Sequence, residues 1–236
     1  MLASLGDEWT YRKVFNAYLS LLATRKDGEN ILIDNTGLPN SIRFPLTAIS
    51  NHNGKISNEV RLIYVVQQKT NLPLYFICVP GNIIDVSTLT KTMLELKAYK
   101  VDTKFAVLDA GYLTIMVSSK PIAVDQILPK YYIRSKIEQV FDICKNNTNM
   151  LPLRVQSEET FSGHLLIAFL ASVIVRMLQN DLAKASCTPE SALLALRNHK
   201  CKVFDDQILT MESARKENDI YKIFKMKVPH VISSSL

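Results

Sequence analysis

The stretch YYIRSKIEQVFDICK, residues 131–145, predicts an amphipathic helix with a polar edge. Its polar residues follow the spacing Y-x2-R-x3-E-x6-K, at Tyr131, Arg134, Glu138 and Lys145. At roughly 100° per residue these four positions fall within an arc of about 60°. Apolar residues fill the adjacent arc. The helix can therefore dock on a core while it displays a phenol, two cations and one carboxylate.

The composition indicates a globular protein with a basic surface. The chain has 236 residues and a formal net charge of +6, which suits a polyanionic partner such as nucleic acid. Its four cysteines form no C-x-x-C pair, so reduced thiols in a cytosol are expected rather than a zinc site or a disulfide frame. The longest apolar run, residues 165–175, is too short to span a bilayer and predicts a buried helix. We expect a cytoplasmic protein without a membrane partner.

Short apolar runs bounded by turn residues predict buried strands. They cover residues 30–36, 60–66, 73–79 and 104–113. Helical periodicity is found at 9–25, 86–100, 131–145, 162–183, after Thr188-Pro189, and at 212–226. Residues 50–55 are polar and are predicted to form a loop. This order predicts an α/β fold with a mixed sheet and a helical C-terminal part.

Three carboxylates accompany the predicted strands and helix. Asp34 and Asp109 each end an apolar run, and Glu138 belongs to the polar edge. Strand ends are where sheets present catalytic groups. Carboxylates without a histidine partner favour Mg²⁺ or Mn²⁺ over zinc. Two such ions can activate a water or a hydroxyl for in-line attack on phosphorus, and Tyr131, Arg134 and Lys145 would then contact phosphates.

Each of these residues also has a simpler interpretation when it is taken alone. An aspartate between an apolar run and a glycine is typical of turns. Glu138 has Arg134 four positions before it and can form a surface ion pair. Tyr131 and Lys145 are residue types that are common on surfaces. The residues by themselves therefore leave metal-dependent phosphoryl chemistry as one hypothesis among others.

Four motifs in order resemble those of a group of bacterial insertion-sequence DDE transposases. The Y-x2-R-x3-E-x6-K spacing resembles the signature around their catalytic glutamate. IDNTGLPN (33–40) resembles their first-aspartate motif, and VLDAGYL (107–113) their second. PLYFICVPGNIID (73–85) resembles their R-x-x-P-G-N-x-x-D segment, with Cys78 or a neighbour in place of the basic residue. GHLLIAFLA (163–171) resembles the helix after the glutamate, and the similarity runs from about residue 30 to 180.

The resemblance implies a ribonuclease-H-like mixed sheet with flanking helices. Asp34 and Asp109 would lie on adjacent strands and Glu138 on a helix that crosses them, together holding two Mg²⁺ ions, for which Mn²⁺ can substitute. Tyr131, Arg134 and Lys145 match the family's contacts to the phosphates of the transposon end. The implied activity is nicking at the element's ends followed by strand transfer. The implied partners are double-stranded DNA, at the ends and the target, and a second transposase copy on DNA, at the bacterial nucleoid.

Two departures from the family pattern predict a truncated or internally deleted copy. Only 29 residues separate Asp109 from Glu138 (138 − 109), where the family carries a β-rich insertion. Asp34 also lies close to the start, which leaves little room for an N-terminal DNA-binding region. We expect an N-terminal helix remnant at 1–28, a catalytic domain at 29–183 and a helical region at 184–236. The alternative is an inactive remnant that only binds DNA or a full-length transposase.

Overall fold

The chain folds into two compact units, residues 1–174 and 175–236, and the division falls inside one long helix. The computed structural model describes residues 1–23, 30–42, 45–52, 55–83, 85–110, 113–118, 121–133, 135–147, 150–151, 153–185, 187–205 and 207–233. The division lies before the boundary that the sequence predicts at residue 183. Each unit has a hydrophobic core of its own.

Within its described residues the first unit contains a sheet and six α-helices, of which the last continues into the second unit. The helices are α1 (Leu2–Leu5), α2 (Glu8–Ala23), α3 (Asp85–Ala98), α4 (Val124–Tyr132), α5 (Ser135–Asp142) and α6 (Glu158–Leu182). The strands are β1 (Asn30–Pro39), β2 (Ala48–His52), β3 (Lys55–Gln67), β4 (Pro73–Pro80), β5 (Phe105–Ala110) and β6 (Leu113–Ser118). A π-helical turn, Ile143–Asn147, follows α5 directly.

The sheet is mixed, as the sequence predicts. Strand β3 is antiparallel to β1, to β2 and to β4, and it is long enough to pair with β2 near its start and with β4 over the rest. Strand β5 is parallel to β1, and β6 is antiparallel to β5. The order is β2-β3-β1-β5-β6, with β4 also on β3. The carboxyl ends of β1, β4 and β5 therefore lie at the same end of the sheet.

Aromatic residues from the helices and from the sheet pack together in the core of the first unit. Tyr64 of β3 lies 5.8 Å from the ring of Phe141 in α5 and 5.8 Å from the ring of Phe169 in α6. Phe15 of α2 lies 5.2 Å from Phe169 and 5.6 Å from Phe76 of β4. These buried contacts hold α2, α5 and α6 against the sheet, because buried aromatic area supplies much of a core's stabilisation.

Two glycines of the family-like motifs pack against one buried side chain. Glu59 lies near the start of β3 and is 4% exposed. A Cβ on Gly37 of IDNTGLPN would overlap the Glu59 carboxylate, and a Cβ on Gly81 of PGNIID would overlap the Glu59 backbone oxygen. The Arg61 guanidinium lies 3.9 Å from that carboxylate. Both glycines are therefore needed for close approach to Glu59.

The described residues of the predicted polar loop at 50–55 lie in strands, and residues 53–54 lie outside the described residues. Residues up to His52 belong to β2, and β3 begins at Lys55. The five pairs of the β2–β3 register give this segment its backbone hydrogen bonds, and such pairing does not need apolar side chains. A prediction from apolar runs alone misses a strand of this kind.

The second unit combines two helices with a small sheet. Its elements are a 3-10 turn (Ala183–Ala185), α7 (Pro189–Arg197), β7 (Cys201–Val203), β8 (Gln207–Thr210), α8 (Arg215–Ile223) and β9 (Val231–Ser233). Thr188 caps the helix predicted after Thr188-Pro189, since its Oγ1 accepts a hydrogen bond of 3.2 Å from the Ser191 N–H. The antiparallel sheet β7-β8-β9 was not predicted. Strands of three or four residues are too short to give a periodic signal.

Helix α6 is the most apolar element of the chain. By length and composition, residues 158–185 could cross a membrane, and 44% of the helix's most apolar window is buried in the structure. Phe161, Leu165 and Phe169 are among its buried residues and belong to the main core. This agrees with the predicted buried helix.

Candidate active site

The two predicted aspartates belong to neighbouring parallel strands. The register of β1 and β5 pairs Asn30 with Phe105 and ends at Ile33 and Leu108. Asp34 and Asp109 are the next residues along the two strands, and adjacent strands in a sheet lie about 4.8 Å apart. Asp34 lies in the middle of β1, which continues to Pro39, so the prediction that a strand ends at Asp34 is wrong. The Asp34 side chain is 8% exposed, and its Oδ1 accepts a 2.8 Å hydrogen bond from the Asn35 N–H. The side chain of Asp109 lies outside the described residues.

The predicted helix at 131–145 is in fact three segments, and the prediction of one continuous helix is wrong. Tyr131 belongs to the last turn of α4, Glu138 to the first turn of α5, and Lys145 to the π-helical turn. Every described side chain of α4 is exposed, whereas Ile137 and Val140 of α5 are buried. Helix α5 therefore packs on the core, whereas the described side chains of α4 do not.

The side chains of the predicted stripe are consequently divided. The Tyr131 side chain and the whole of Arg134 lie outside the described residues. Glu138 is exposed, on the side of α5 away from buried Ile137 and Val140. The prediction that all four residues share one helical arc requires a continuous helix with 3.6 residues per turn. The helix is interrupted after α4, and the π-helical turn has more residues per turn than an α-helix.

Lys145 lies against β1 close to Asp34. Its Nζ donates a 2.6 Å hydrogen bond to the Oγ1 of Thr36, two residues beyond Asp34. Side chains alternate along a strand, so Thr36 and Asp34 belong to the same face of the sheet. The predicted docking of this segment on the sheet is therefore observed, although Lys145 reaches β1 through the π-helical turn. Thr36 was not predicted as a site residue, although it belongs to the IDNTGLPN motif.

Burial shapes the electrostatics of Lys145. The side chain is half-buried, and this lowers its pKa below the ordinary value, an effect that nearby Cys144 partly opposes. No carboxylate forms an ion pair with Lys145 among the described residues. A partly desolvated cation of this kind gains from an incoming anion, because the anion restores the favourable interactions that burial removed.

A buried chain of hydrogen bonds connects the π-helical turn, β3 and α6 near Asp34. Tyr64 is the residue opposite Asp34 in the β1–β3 register. The Cys144 thiol donates to the Tyr64 hydroxyl at 3.3 Å, and that hydroxyl lies 3.1 Å from the Ser172 hydroxyl, which donates to the Phe169 carbonyl at 2.7 Å. Burial raises the pKa of Tyr64 well above its ordinary value, so its hydroxyl stays protonated. The chain fixes the π-helical turn and α6 relative to β3.

The residues that could hold a metal are the predicted carboxylates. Among the described side chains, no group of three His, Cys, Asp or Glu residues is placed to hold an ion, and the Asp109 side chain does not belong to that set. Asp34 is buried in the middle of β1, and Glu138 is at the surface of the helix that packs on β1. The metal site stays a prediction.

Comparison with models of protein families gives no match for this chain, and comparison with curated proteins gives none. The motifs that carry the transposase resemblance nevertheless cluster in the fold. IDNTGLPN belongs to β1, PGNIID follows β4, and the second-aspartate motif ends β5. These are the three carboxyl ends that share one end of the sheet, which is where open α/β sheets bind ligands.

Proposed function

We propose that this chain is a DDE-type DNA transposase that cleaves and transfers DNA strands at insertion-sequence ends. One observation carries the proposal. The parallel register of β1 and β5 ends at Ile33 and Leu108, the residues directly before Asp34 and Asp109, and the segment of Glu138 and Lys145 packs on β1. Two carboxylates on adjacent strands are suited to divalent-metal chemistry on phosphates.

The topology supports a ribonuclease-H-like catalytic domain. Three antiparallel strands, β1, β3 and β4, are followed by α3 and by β5, which returns parallel to β1. This gives the neighbour order β4-β3-β1-β5, with the helix α5 packed on β1. Such an arrangement agrees with the fold that the family resemblance implies.

The chain's own residues have distinct tasks in this proposal. Asp34, Asp109 and Glu138 supply oxygen ligands for Mg²⁺, and the absence of histidine and thiolate among them fits a hard cation. When bound, two such ions stabilise the charge that develops at phosphorus. Lys145 holds a backbone phosphate beside β1, and Tyr131 and Arg134 are proposed to contact neighbouring phosphates. Thr36 orients the Lys145 ammonium through their hydrogen bond.

A DNA-binding remnant without catalytic activity is the second candidate. The observation in its favour is the division of the predicted stripe between α4 and α5, with Glu138 exposed. The basic net charge of +6 and the half-buried Lys145 would still support binding to phosphates. The two candidates differ in one measurable property, which is metal-dependent strand cleavage.

We expect nicking of supercoiled plasmid in Mg²⁺ or Mn²⁺ and none in EDTA. Chelation removes the ions on which the carboxylates act, and excess Mg²⁺ should restore the activity. Gel separation of supercoiled and nicked plasmid gives the measurement. Nicking that continues in EDTA contradicts the metal mechanism. If the protein binds DNA but does not nick it with either metal ion, the second candidate is favoured, which is a DNA-binding remnant without catalytic activity.

Replacing Lys145 by Met is expected to weaken DNA binding without loss of stability. The change removes one phosphate contact, so binding should fall for all sequences, and the slope of log K against log salt should decrease by about one unit. Met keeps most of the length of the half-buried side chain. The unfolding free energy should therefore stay within about 1 kcal/mol of the parent value.

The matched control is Lys184→Met, at an exposed lysine that pairs with Asp181 in the second unit. If the slope of log K against log salt is unchanged in Lys145→Met, then Lys145 does not contact a DNA phosphate. The pH dependence gives a second check, since binding needs the protonated ammonium. Burial lowers the pKa of Lys145, so its contribution to DNA affinity should decline as the pH rises through that lowered pKa, below the range of an ordinary lysine.

A further inference from the structure

A cavity of about 300 Å³ lies at the β4 edge of the first unit. Residues from α2, β4, α3 and the start of α6 line it. Strand β4 pairs only with β3 in the part of the chain that the structure describes, so the cavity adjoins an open sheet edge. Its volume is at the lower end of small-molecule sites in proteins.

Four aromatic residues are among those that line this cavity, namely Tyr11, Tyr75, Phe76 and Tyr99. The rings of Tyr75 and Tyr99 lie 5.5 Å apart, and those of Tyr11 and Phe76 lie 5.4 Å apart and nearly perpendicular. Fully buried Phe15 packs behind them, 4.7 Å from Tyr75 and 5.4 Å from Tyr11. The walls are therefore held in place by the core.

The charged residues at the cavity are mostly acidic, although the chain as a whole is basic. Glu8, Glu95 and Glu158 line it together with one cation, Arg12. The Arg12 guanidinium is already paired with Glu8 at 2.6 Å. Half-buried Glu95 forms no side-chain hydrogen bond or ion pair among the described residues. Three carboxylates and one guanidinium leave the lining with a net negative charge, and Arg12 also interacts electrostatically with Glu95.

Tyr75 contributes a hydroxyl to this site. The residue is 7% exposed, and its hydroxyl has no hydrogen-bond partner among the described residues. The hydroxyl oxygen is not one of the fully buried polar atoms of the described residues, so a ligand N–H group can reach it. Burial and then the charge of Glu95 raise the pKa of Tyr75 and of Tyr99, so both phenols stay neutral.

From these features we infer that the cavity binds a primary alkylammonium group. The aromatic faces attract a cation, the Glu95 carboxylate pairs with its charge, and the Tyr75 hydroxyl accepts one of its N–H donors. An anion would meet the carboxylates, and among the described residues no three carboxylates are placed to hold a metal ion together. This site lies at β4, separated by β3 from the strand of Asp34, and it does not depend on the proposed transposase activity.

Titration of the whole protein with n-butylammonium tests the inference. Isothermal calorimetry or NMR shift changes should give saturable binding, and 1-butanol, of similar size but neutral, should bind far more weakly. Glu95→Gln should weaken n-butylammonium binding about tenfold or more, the size expected for a lost charge-assisted hydrogen bond. Tyr75→Phe should weaken it severalfold, while Glu190→Gln, on α7 of the second unit, should leave it unchanged.

The source of the ammonium is distinguished by two further ligands, spermidine and Nα-acetyl-lysinamide. Tighter binding of the first assigns the site to free polyamines, and tighter binding of the second assigns it to lysine side chains. Equal binding of n-butylammonium and 1-butanol overturns the inference. So does unchanged n-butylammonium binding in a folded Glu95→Gln variant. DNA nicking is not part of this readout, so failure here and failure of the transposase proposal are separate results.

Discussion

Replacing Asp109 by Asn is expected to abolish metal-dependent DNA cleavage while the protein stays folded. The amide keeps the shape of the side chain but removes the charge of a proposed metal ligand. Metal ions supply several kcal/mol of transition-state stabilisation, so the rate of nicking should fall on the order of 10³-fold or more. Asp34→Asn should give a similar loss, because Asp34 is proposed as a ligand of the same ions and the β1–β5 register pairs the residues directly before the two aspartates.

Asp102→Asn is the matched control, since Asp102 is exposed and lies shortly before β5 in the same unit. Its nicking rate should equal that of the parent protein. Circular dichroism and thermal unfolding establish that each variant is folded. An Asp109→Asn variant that nicks plasmid at the parent rate would exclude Asp109 as a metal ligand, and with it the proposed two-metal mechanism.

The buried strands could be predicted because their apolar residues are contiguous in the sequence. Residues 30–36, 60–66 and 73–79 each lie within a strand that is bounded by turn residues. The short connection between the last two could be predicted as a hairpin, and β3 and β4 are indeed antiparallel. Burial on both faces leaves a strong local signal, and this signal was sufficient for the mixed sheet.

Elements that depend on pairing or on distant packing could not be predicted in the same way. Strand β2 is polar and exists through its register with β3. Helix α4 contains Pro129 and exposes its apolar residues, among them Val124 and Leu128, so neither its composition nor its burial follows a regular pattern. The break between α4 and α5 depends on how α5 meets the core, which a uniform helical period does not describe.

The candidate site shows the same contrast. The aspartates could be placed on adjacent strands because the motifs at Asp34 and Asp109 resemble a known family. The hydrogen bond from Lys145 to Thr36 depends on a π-helical turn that no local pattern marks. The chain formed by Cys144, Tyr64 and Ser172 joins residues far apart in sequence, inside segments that resemble ordinary core. Such contacts follow from the tertiary structure alone.

The packing of α6 leads to the second prediction, that Phe169→Ala will destabilise the first unit by about 3–5 kcal/mol. Phe169 is fully buried, and its ring lies 5.2 Å from Phe76 and 5.2 Å from Phe15. Truncation removes these contacts and leaves a cavity between α2, α6 and the sheet. At about 2–4 °C per kcal/mol for a chain of this size, the unfolding temperature should fall by roughly 6–20 °C.

Ile174→Ala provides the control on the same helix, because Ile174 is 59% exposed. Its effect should stay within about 0.5 kcal/mol, and thermal unfolding followed by circular dichroism measures both variants. The comparison also decides the role of an apolar helix that is long enough to cross a membrane. If α6 is a core helix, substitution by alanine lowers the stability at Phe169 and has little effect at Ile174, because only the Phe169 side chain fills the interior. Equal sensitivity at the two positions would mean that the exposed face of α6 is also covered, and the assignment of α6 as a core helix with one solvent-facing side would then be wrong.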